Sequence, residues 1–474
     1  MGWIIIIGGL LSILALEAAL IFLCFSERFS RFVGRHRRIA FVICQGALFF
    51  LFIFGAYIQL YFDLSEQVLH AMRFRIPELE STKLQGDHAL IEFVRTHQTP
   101  IARPDFEATD EFRRWQGDLR SNLIHDVFRF DDIYDPVEVR SRVIATTQVA
   151  DNIERTLLAF ESFDGTEIPA YLFRPASQSP RPTIVVVHGH VRQDEAGIAQ
   201  AAGLTPSYHH GAALELAKAG YVTLTFELRG FGYLGSRVNT EHRYVAYNAL
   251  VGGSFYKAII ARDIKYATEF LRSLKEVDRD AMGITGVSLG GDLATTYAAL
   301  DERMKVVVAQ GHGGMVGPLE GLFGAILSFQ PHNCLLIPGF DSRGQHEDMF
   351  LLLAPRPALA IRGTSELPAE SGVFADAVRS AYESYQVPEL FEFKAMPGGH
   401  EYFTQPAIEF FNQHLRGSGA GKATTKGHWP ARRSRQGPAG PAKPPSKTPD
   451  SAAPRLAPPG QPVNVSEHLG HGEV

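Results

Sequence analysis

The stretch Gly283-Ile284-Thr285-Gly286-Val287-Ser288-Leu289-Gly290-Gly291 constrains this chain more than any other. A short apolar run ends in a serine with glycine two positions before and two after, and an Ala-rich run, Leu293 to Leu300, follows. That is the pattern of a buried strand, a sharp turn and a helix. A side chain presented on so tight a turn crowds the residues two positions away on either side, and Gly286 and Gly290 relieve the crowding. The turn lifts Ser288 above the end of the strand, at the positive end of a helix. Gly-x-Ser-x-Gly is also the sequence of many ordinary turns, so its weight comes from what surrounds it.

What surrounds it alternates. From residue 141 the chain turns β-rich: Ser141 to Thr147, Thr156 to Ser162 and, after the Asp164-Gly165 turn, Ile168 to Phe173. Thr183-Ile184-Val185-Val186-Val187 is a continuous β-branched run, as expected of a strand covered on both faces. A helix is predicted over Ala212 to Ala219, a strand over Tyr221 to Phe226 and a helix over Arg262 to Leu274, with Val277 and Asp278 forming a turn before the serine-bearing strand. Strands are predicted at Met304 to Ala309, Ala358 to Arg362 and Leu390 to Lys394. Helices are predicted at Gly372 to Tyr385 and Pro406 to Leu415. Strands alternating with helices imply an α/β fold, a mostly parallel, doubly wound sheet over residues 141–416.

The rest of the 474 residues reads differently. Residues 3–25 are almost wholly apolar, with Glu17 the only charge, residues 39–62 are apolar and carry no charge, and each run is long enough to cross a bilayer as a helix. The loop between them, residues 26–38, holds five arginines, which places it on the cytoplasmic side and the bulk of the chain in the periplasm or outside the cell. A signal peptide is disfavoured because no basic segment precedes the first run and a second run follows. Glu17 is expected to face the second helix or a partner. Residues 63–140 have helical stretches at Ser65 to Phe74, His88 to Thr96 and Phe112 to Phe128, and read as a helical pre-domain. Beyond 416 the chain is rich in Pro, Gly, Ser and Ala and lacks hydrophobic periodicity, so residues 417–474 are expected to form a disordered tail, with Arg432, Arg433 and Arg435 as a solvated basic cluster. A net charge of −5 gives no reason to expect nucleic acid as a partner. The three cysteines, Cys24, Cys44 and Cys334, suggest no disulfide within the soluble part.

A serine hydroxyl is a poor nucleophile until a base takes its proton, and the base is usually a histidine oriented by a carboxylate. In this topology acid and histidine follow the serine in that order. Glu366, just beyond the strand Ala358 to Arg362, is the candidate acid, with Glu370 as the alternative. His400, in the Gly-rich segment Met396-Pro397-Gly398-Gly399-His400-Glu401 before the last helix, is the candidate base. The oxyanion of an acyl transfer needs backbone N–H groups already aimed at it. The amide of Leu289 supplies one; His190, with Val191 as its neighbour, supplies the other from the loop His188-Gly189-His190-Val191 that follows the β-branched run. His188-x-His190 has the look of a metal pair, but its place after a buried strand favours the oxyanion role, and no His/Cys/Asp group has a clear metal spacing. His209, His210, His312 and His332 are left as structural or pocket-lining residues.

These pieces resemble the α/β-hydrolase superfamily, in particular its dienelactone-hydrolase-like and acetyl-xylan-esterase-like branch. The resemblance rests on His188-Gly189-His190, Glu227-Leu228-Arg229-Gly230-Phe231-Gly232, Val277-Asp278-Arg279-Asp280 leading into Gly286-x-Ser288-x-Gly290-Gly291, Cys334 to Gly339, Leu353-Ala354-Pro355-Arg356-Pro357 and Gly399-His400, over residues 140–416. It implies an acyl-enzyme mechanism on a small-molecule ester, with no cofactor. The family usually carries aspartate and a longer loop where Glu366 stands. Residues 313–348 are a candidate lid or pocket wall with apolar content. The reading is therefore a membrane-anchored serine esterase. A peptidase of the prolyl-oligopeptidase type would need a propeller for which 63–140 is too short. An acyltransferase shares the chemistry, and a non-catalytic membrane-tethered scaffold would need none of the three residues.

Overall fold

The computed structural model describes residues 101–106, 109–177, 179–192, 195–235, 242–314, 333–340, 344–345 and 347–416, together with Gly46 and Phe49. The two apolar runs at 3–25 and 39–62, apart from Gly46 and Phe49, lie outside the described residues, as do the stretches Ser65 to Phe74 and His88 to Thr96, most of 313–348 and the tail from 417. Among the described residues no helix is long and apolar enough to cross a membrane.

Nine strands form one sheet: β1 (Ser141–Ala150), β2 (Ile153–Glu161), β3 (Glu167–Pro175), β4 (Arg181–Val187), β5 (Val222–Phe226), β6 (Val277–Val287), β7 (Val306–Gln310), β8 (Ala358–Gly363) and β9 (Phe391–Met396), in the order β1-β2-β3-β5-β4-β6-β7-β8-β9. The first three pair antiparallel, β3 meets β5 antiparallel, and every pair from β5 to β9 is parallel. The described helices are α1 (Thr109–Asn122), α2 (Gly197–Ala201), α3 (Ala212–Lys218), α4 (His242–Val251), α5 (Tyr256–Ser273), α6 (Leu289–Leu300), α7 (Asp348–Leu351), α8 (Ser371–Glu383) and α9 (Thr404–Phe411).

The continuous apolar strands are explained by what covers them. Side chains alternate along a strand, so Val185 and Val187 of β4 join one core cluster with α1, α5, α6 and α8, while Ile184 and Val186 join the other with α2, α3 and α9. The same division holds in β7, with Val307 and Ala309 on the first face and Val306 and Val308 on the second, and in β8, with Ala360 opposed to Leu359 and Ile361. Each fully buried Val, Ile or Leu contributes about 1.5–3 kcal/mol relative to exposure. Both faces are thus sealed, and only the strand ends remain to carry chemistry.

Several elements differ from the sequence expectation. Val277 and Asp278 do not end before the strand; they begin it. Val277 pairs with Arg181 and Met282 with Thr183, so residues 278–281 bulge opposite Pro182. The Asp278 carboxylate accepts the Asp280 N–H at 3.0 Å, a turn-type bond folded into the bulge. The helix predicted from Arg262 starts earlier, at Tyr256, and α4 is absent from the sequence expectation because His242 to Val251 has almost no amphipathic pattern. The helix expected over Phe112 to Phe128 runs as α1 to Asn122 and continues as a π-helical turn, Leu123–Val127. It is pinned by buried polar groups: Gln116 donates to the carbonyls of Leu351 and Ala354, and Arg120 to those of Ala299 and Leu352.

Candidate active site

The carboxyl ends of the parallel strands β4, β6, β7, β8 and β9 open onto one rim, where ligands bind in such sheets. The turn after β6 holds Ser288 at φ 61° and ψ −126°, a conformation that costs an L-residue strain and persists only where the surroundings enforce it. They do so here. A Cβ at Gly286 would lie 2.4 Å from the Gly290 carbonyl carbon, and one at Gly290 would lie 2.1 Å from the Val187 carbonyl oxygen. Only glycine lets the start of α6 lie against β4. The Ser288 N–H donates to the Gln310 carbonyl at the end of β7 at 2.8 Å. Leu289 is the first residue of α6, so its N–H has no acceptor within the helix.

His400 lies in the loop after β9 and Glu366 in the 3₁₀ turn after β8. His400 Nδ1 and Glu366 Oε2 are 2.5 Å apart, whereas no bond links His400 to Glu370, whose carbonyl instead accepts the Phe374 N–H of α8. The two loops are locked together. Ser365 donates its N–H and its hydroxyl to the Gly398 carbonyl, at 3.1 and 2.9 Å. A Cβ on Gly363 would meet the Gly399 carbonyl oxygen at 2.1 Å. The buried Arg362 reaches Glu366 Oε2 from the other side, at 3.5 Å, while its Nε donates to the Gly313 carbonyl. Gln310 joins this assembly to the nucleophile turn: its side chain bonds Phe403 through both the N–H, at 2.6 Å, and the carbonyl, at 3.3 Å.

Ser288 and His400 converge on Gly311. A Cβ there would lie 2.9 Å from His400 Cε1 and 3.1 Å from the Ser288 nitrogen. Among the described residues no hydrogen bond joins the Ser288 hydroxyl to His400. Catalytic hydrogen bonds are often long without substrate and tighten when it binds. His400 is 43% exposed at its side chain, so water and substrate reach the ring.

The loop after β4 is fixed by three aromatic side chains. His188 is fully buried; its Nδ1 bonds the Gly189 carbonyl at 2.7 Å, and its Nε2 accepts the Leu228 N–H at 3.0 Å with Glu227 Oε1 3.1 Å away. The Gly189 N–H is used by His209 Nε2, at 2.8 Å. Burial holds the His209 imidazole well below its ordinary pKa, and neighbouring His188, His210 and His400 add to the effect, so it is a neutral acceptor. Tyr208, which sequence reasoning misses, donates its hydroxyl to the His190 carbonyl at 2.7 Å, and its ring lies 5.6 Å from that of His400. Burial pushes its phenol up, opposed by a hydrogen-bonding contact with the Ser288 side chain. A Cβ on Gly189 would overlap the phenol oxygen at 2.3 Å, which is why glycine stands there. The only sequence signal for Tyr208 is its place in the Ser207 to Gly211 segment, next to two histidines.

Beneath the turn, α6 presents Asp292, paired with Lys257 of α5 at 2.7 Å and with His312 Nε2 at 3.7 Å. Burial alone would raise the Asp292 carboxyl, but the Lys257 ammonium and then His312 hold it below the usual range. His190 also comes beside His242 of α4 and Cys334, residues far apart in sequence whose donor atoms lie within 4.8 Å of one another.

Residues 135–311 match the family model described as acetyl xylan esterase (AXE1). A Bacillus subtilis protein named as a hydrolase, YtaP, is 26% identical over 275 residues, which are 53% of this chain and 84% of that one. A Bacteroides fragilis structure assigned as an acetyl xylan esterase superposes with a TM-score of 0.54 at 18% identity, covering 69% of this chain and 89% of its own. Methylesterase BT1017 superposes with a TM-score of 0.51 at 16% identity, over 69% of this chain and 67% of its own. At these identities the two structures share the fold.

Proposed function

We propose that the protein is a carboxylic-ester hydrolase that works as a serine esterase through Ser288, His400 and Glu366; the match of residues 135–311 to the acetyl xylan esterase model and the shared fold support this reading. The observation that carries this reading is the convergence on Gly311 of a strained Ser288 and a His400 already paired with Glu366. In the reaction, His400 Nε2 takes the Ser288 proton as Oγ attacks the ester carbonyl. The Leu289 N–H and a donor from the His190 loop receive the oxyanion. The tetrahedral adduct collapses, the alcohol leaves with the proton from His400, and water activated by the same ring releases the acid. Glu366 holds the imidazole by its Nδ1 and stabilises the imidazolium; Arg362 holds Glu366.

The relatives' names, an acetyl xylan esterase and a methylesterase, favour an ester with a small acyl or alcohol group. Residues 3–25 and 39–62 would anchor the enzyme in a bilayer as two helices, with the arginine-rich loop 26–38 in the cytoplasm and the catalytic residues in the periplasm or outside the cell. The test is hydrolysis of p-nitrophenyl acetate, butyrate and octanoate by the full chain beside Ser288→Ala. Turnover that falls with acyl length, and at least about a thousandfold loss in the variant, is the expected result. A folded parent that hydrolyses none of them contradicts the proposal. For the anchor, the protein should remain in the membrane fraction after a high-salt wash; release into the soluble fraction rules out spanning helices.

A further inference from the structure

Three segments that the proposed reaction uses only in part, or not at all, meet at one point. His190 stands in the loop after β4, His242 opens α4, and Cys334 lies in the 3₁₀ turn Asn333–Leu335. Their donor atoms lie within 4.8 Å of one another, and Cys334 Sγ is 3.5 Å from His190 Nε2. We propose that His190, His242 and Cys334 form a binding site for a thiophilic divalent metal ion of the zinc class.

The donor set argues for that class. Two imidazoles and one thiolate suit zinc, which takes nitrogen and sulfur at about 2.0–2.3 Å in tetrahedral geometry; calcium and magnesium demand oxygen. Donors of a tetrahedral zinc site stand roughly 3–4 Å from one another, as follows from those bond lengths, so the Cys334–His190 spacing already fits. The three residues leave a fourth position for water or a ligand.

The rings are also held. Phe231 stacks on His242, with centroids 4.5 Å apart and planes 10° from parallel, and meets His190 edge-on at 5.9 Å and 68°. The two imidazoles are 4.7 Å apart at 62°. Asn333 Nδ2 donates to the Arg243 carbonyl at 3.0 Å, fastening the residue before the cysteine to the residue after the histidine. Cys334 is a free, fully buried thiol; burial first and the Asp292 carboxylate second push it up, so it would ligate by giving up its proton as the ion enters. An ion here would tie the loop after β4, which lies beside Ser288, to α4 and to the Cys334 turn. Sequence spacing could not reveal it, because the ligands are 52 and 92 positions apart along the chain (242 − 190 and 334 − 242).

The test uses the full chain without a polyhistidine tag, stripped with a chelator and titrated with Co²⁺ and then Zn²⁺. One equivalent of cobalt should bind with tetrahedral d–d bands and a thiolate-to-cobalt charge-transfer band. Cys334→Ser should abolish the charge-transfer band, and His242→Asn should weaken zinc binding more than about tenfold. X-ray absorption on the zinc-loaded parent needs no variant and should give one sulfur and two imidazole scatterers. Absence of stoichiometric binding, a shell without sulfur, or binding unchanged in both variants overturns the proposal.

Discussion

The phenol oxygen of Tyr208 lies 2.7 Å from the carbonyl oxygen of His190, so one partly buried hydroxyl fixes the loop after β4 beside Ser288. Tyr208→Phe removes that donor, at a cost of about 1–2 kcal/mol to the loop's geometry. Steady-state kinetics on p-nitrophenyl acetate should show kcat lowered roughly tenfold to a hundredfold with little change in KM, because a misplaced oxyanion donor is felt mainly in the transition state. An unaltered kcat would mean that the loop keeps its place without the phenol.

Glu366, and not Glu370, carries the pairing with His400. Glu366→Gln should therefore lower kcat/KM by about 10²–10⁴, since the amide cannot stabilise the imidazolium and favours the wrong tautomer. Glu370→Gln should stay within about twofold of the parent. The reverse ranking would reassign the acid.

Gly290 lies so close to β4 that an added Cβ would sit 2.1 Å from the Val187 carbonyl oxygen, which is backbone and cannot swing aside. Gly290→Ala is expected to destabilise the fold by about 1–3 kcal/mol or more, read as a lower urea midpoint. Gly372, where a Cβ would meet nothing within 4 Å, is the control: Gly372→Ala in the first turn of α8 should be neutral or slightly stabilising.

The apolar β-branched runs of β4, β7 and β8 were legible because double burial leaves no room for polar residues, and Gly-x-Ser-x-Gly was legible because a tight turn excludes side chains. Glu366 and His400 could be named from their places after two late strands, but their 2.5 Å contact could not. The bulge at residues 278–281 hid because an Asx-type bond looks the same in a turn and in a bulged strand. Helix α4 hid because it has no strong amphipathic face. Tyr208, Gln310 and the His190–His242–Cys334 cluster are products of tertiary closure, with no local pattern to announce them.

His209 gives the fold a pH dependence of definite sign. Its imidazole is held well below the ordinary value of 6.5 by burial and then by His188, His210 and His400, while the unfolded chain protonates it normally. Below about pH 6.5 the unfolded state binds the extra proton, so stability is full above that pH and falls as the solution becomes more acid, by up to about 1.4 kcal/mol per unit for one proton. His209→Gln keeps an acceptor for the Gly189 N–H. Denaturant titrations between about pH 4.5 and 6.5 should show a shallower decline for the variant than for the parent. Parallel declines would mean that His209 titrates normally in the folded protein.

The most direct measurement is covalent. The full chain and Ser288→Ala are each treated with a fluorophosphonate probe, and the modified peptide is mapped by mass spectrometry. The account predicts stoichiometric labelling of the parent at Ser288, slowed about a hundredfold or more by Glu366→Gln and absent from Ser288→Ala. Labelling at another serine, or none in a folded parent that retains the Glu366–His400 pair, would contradict it.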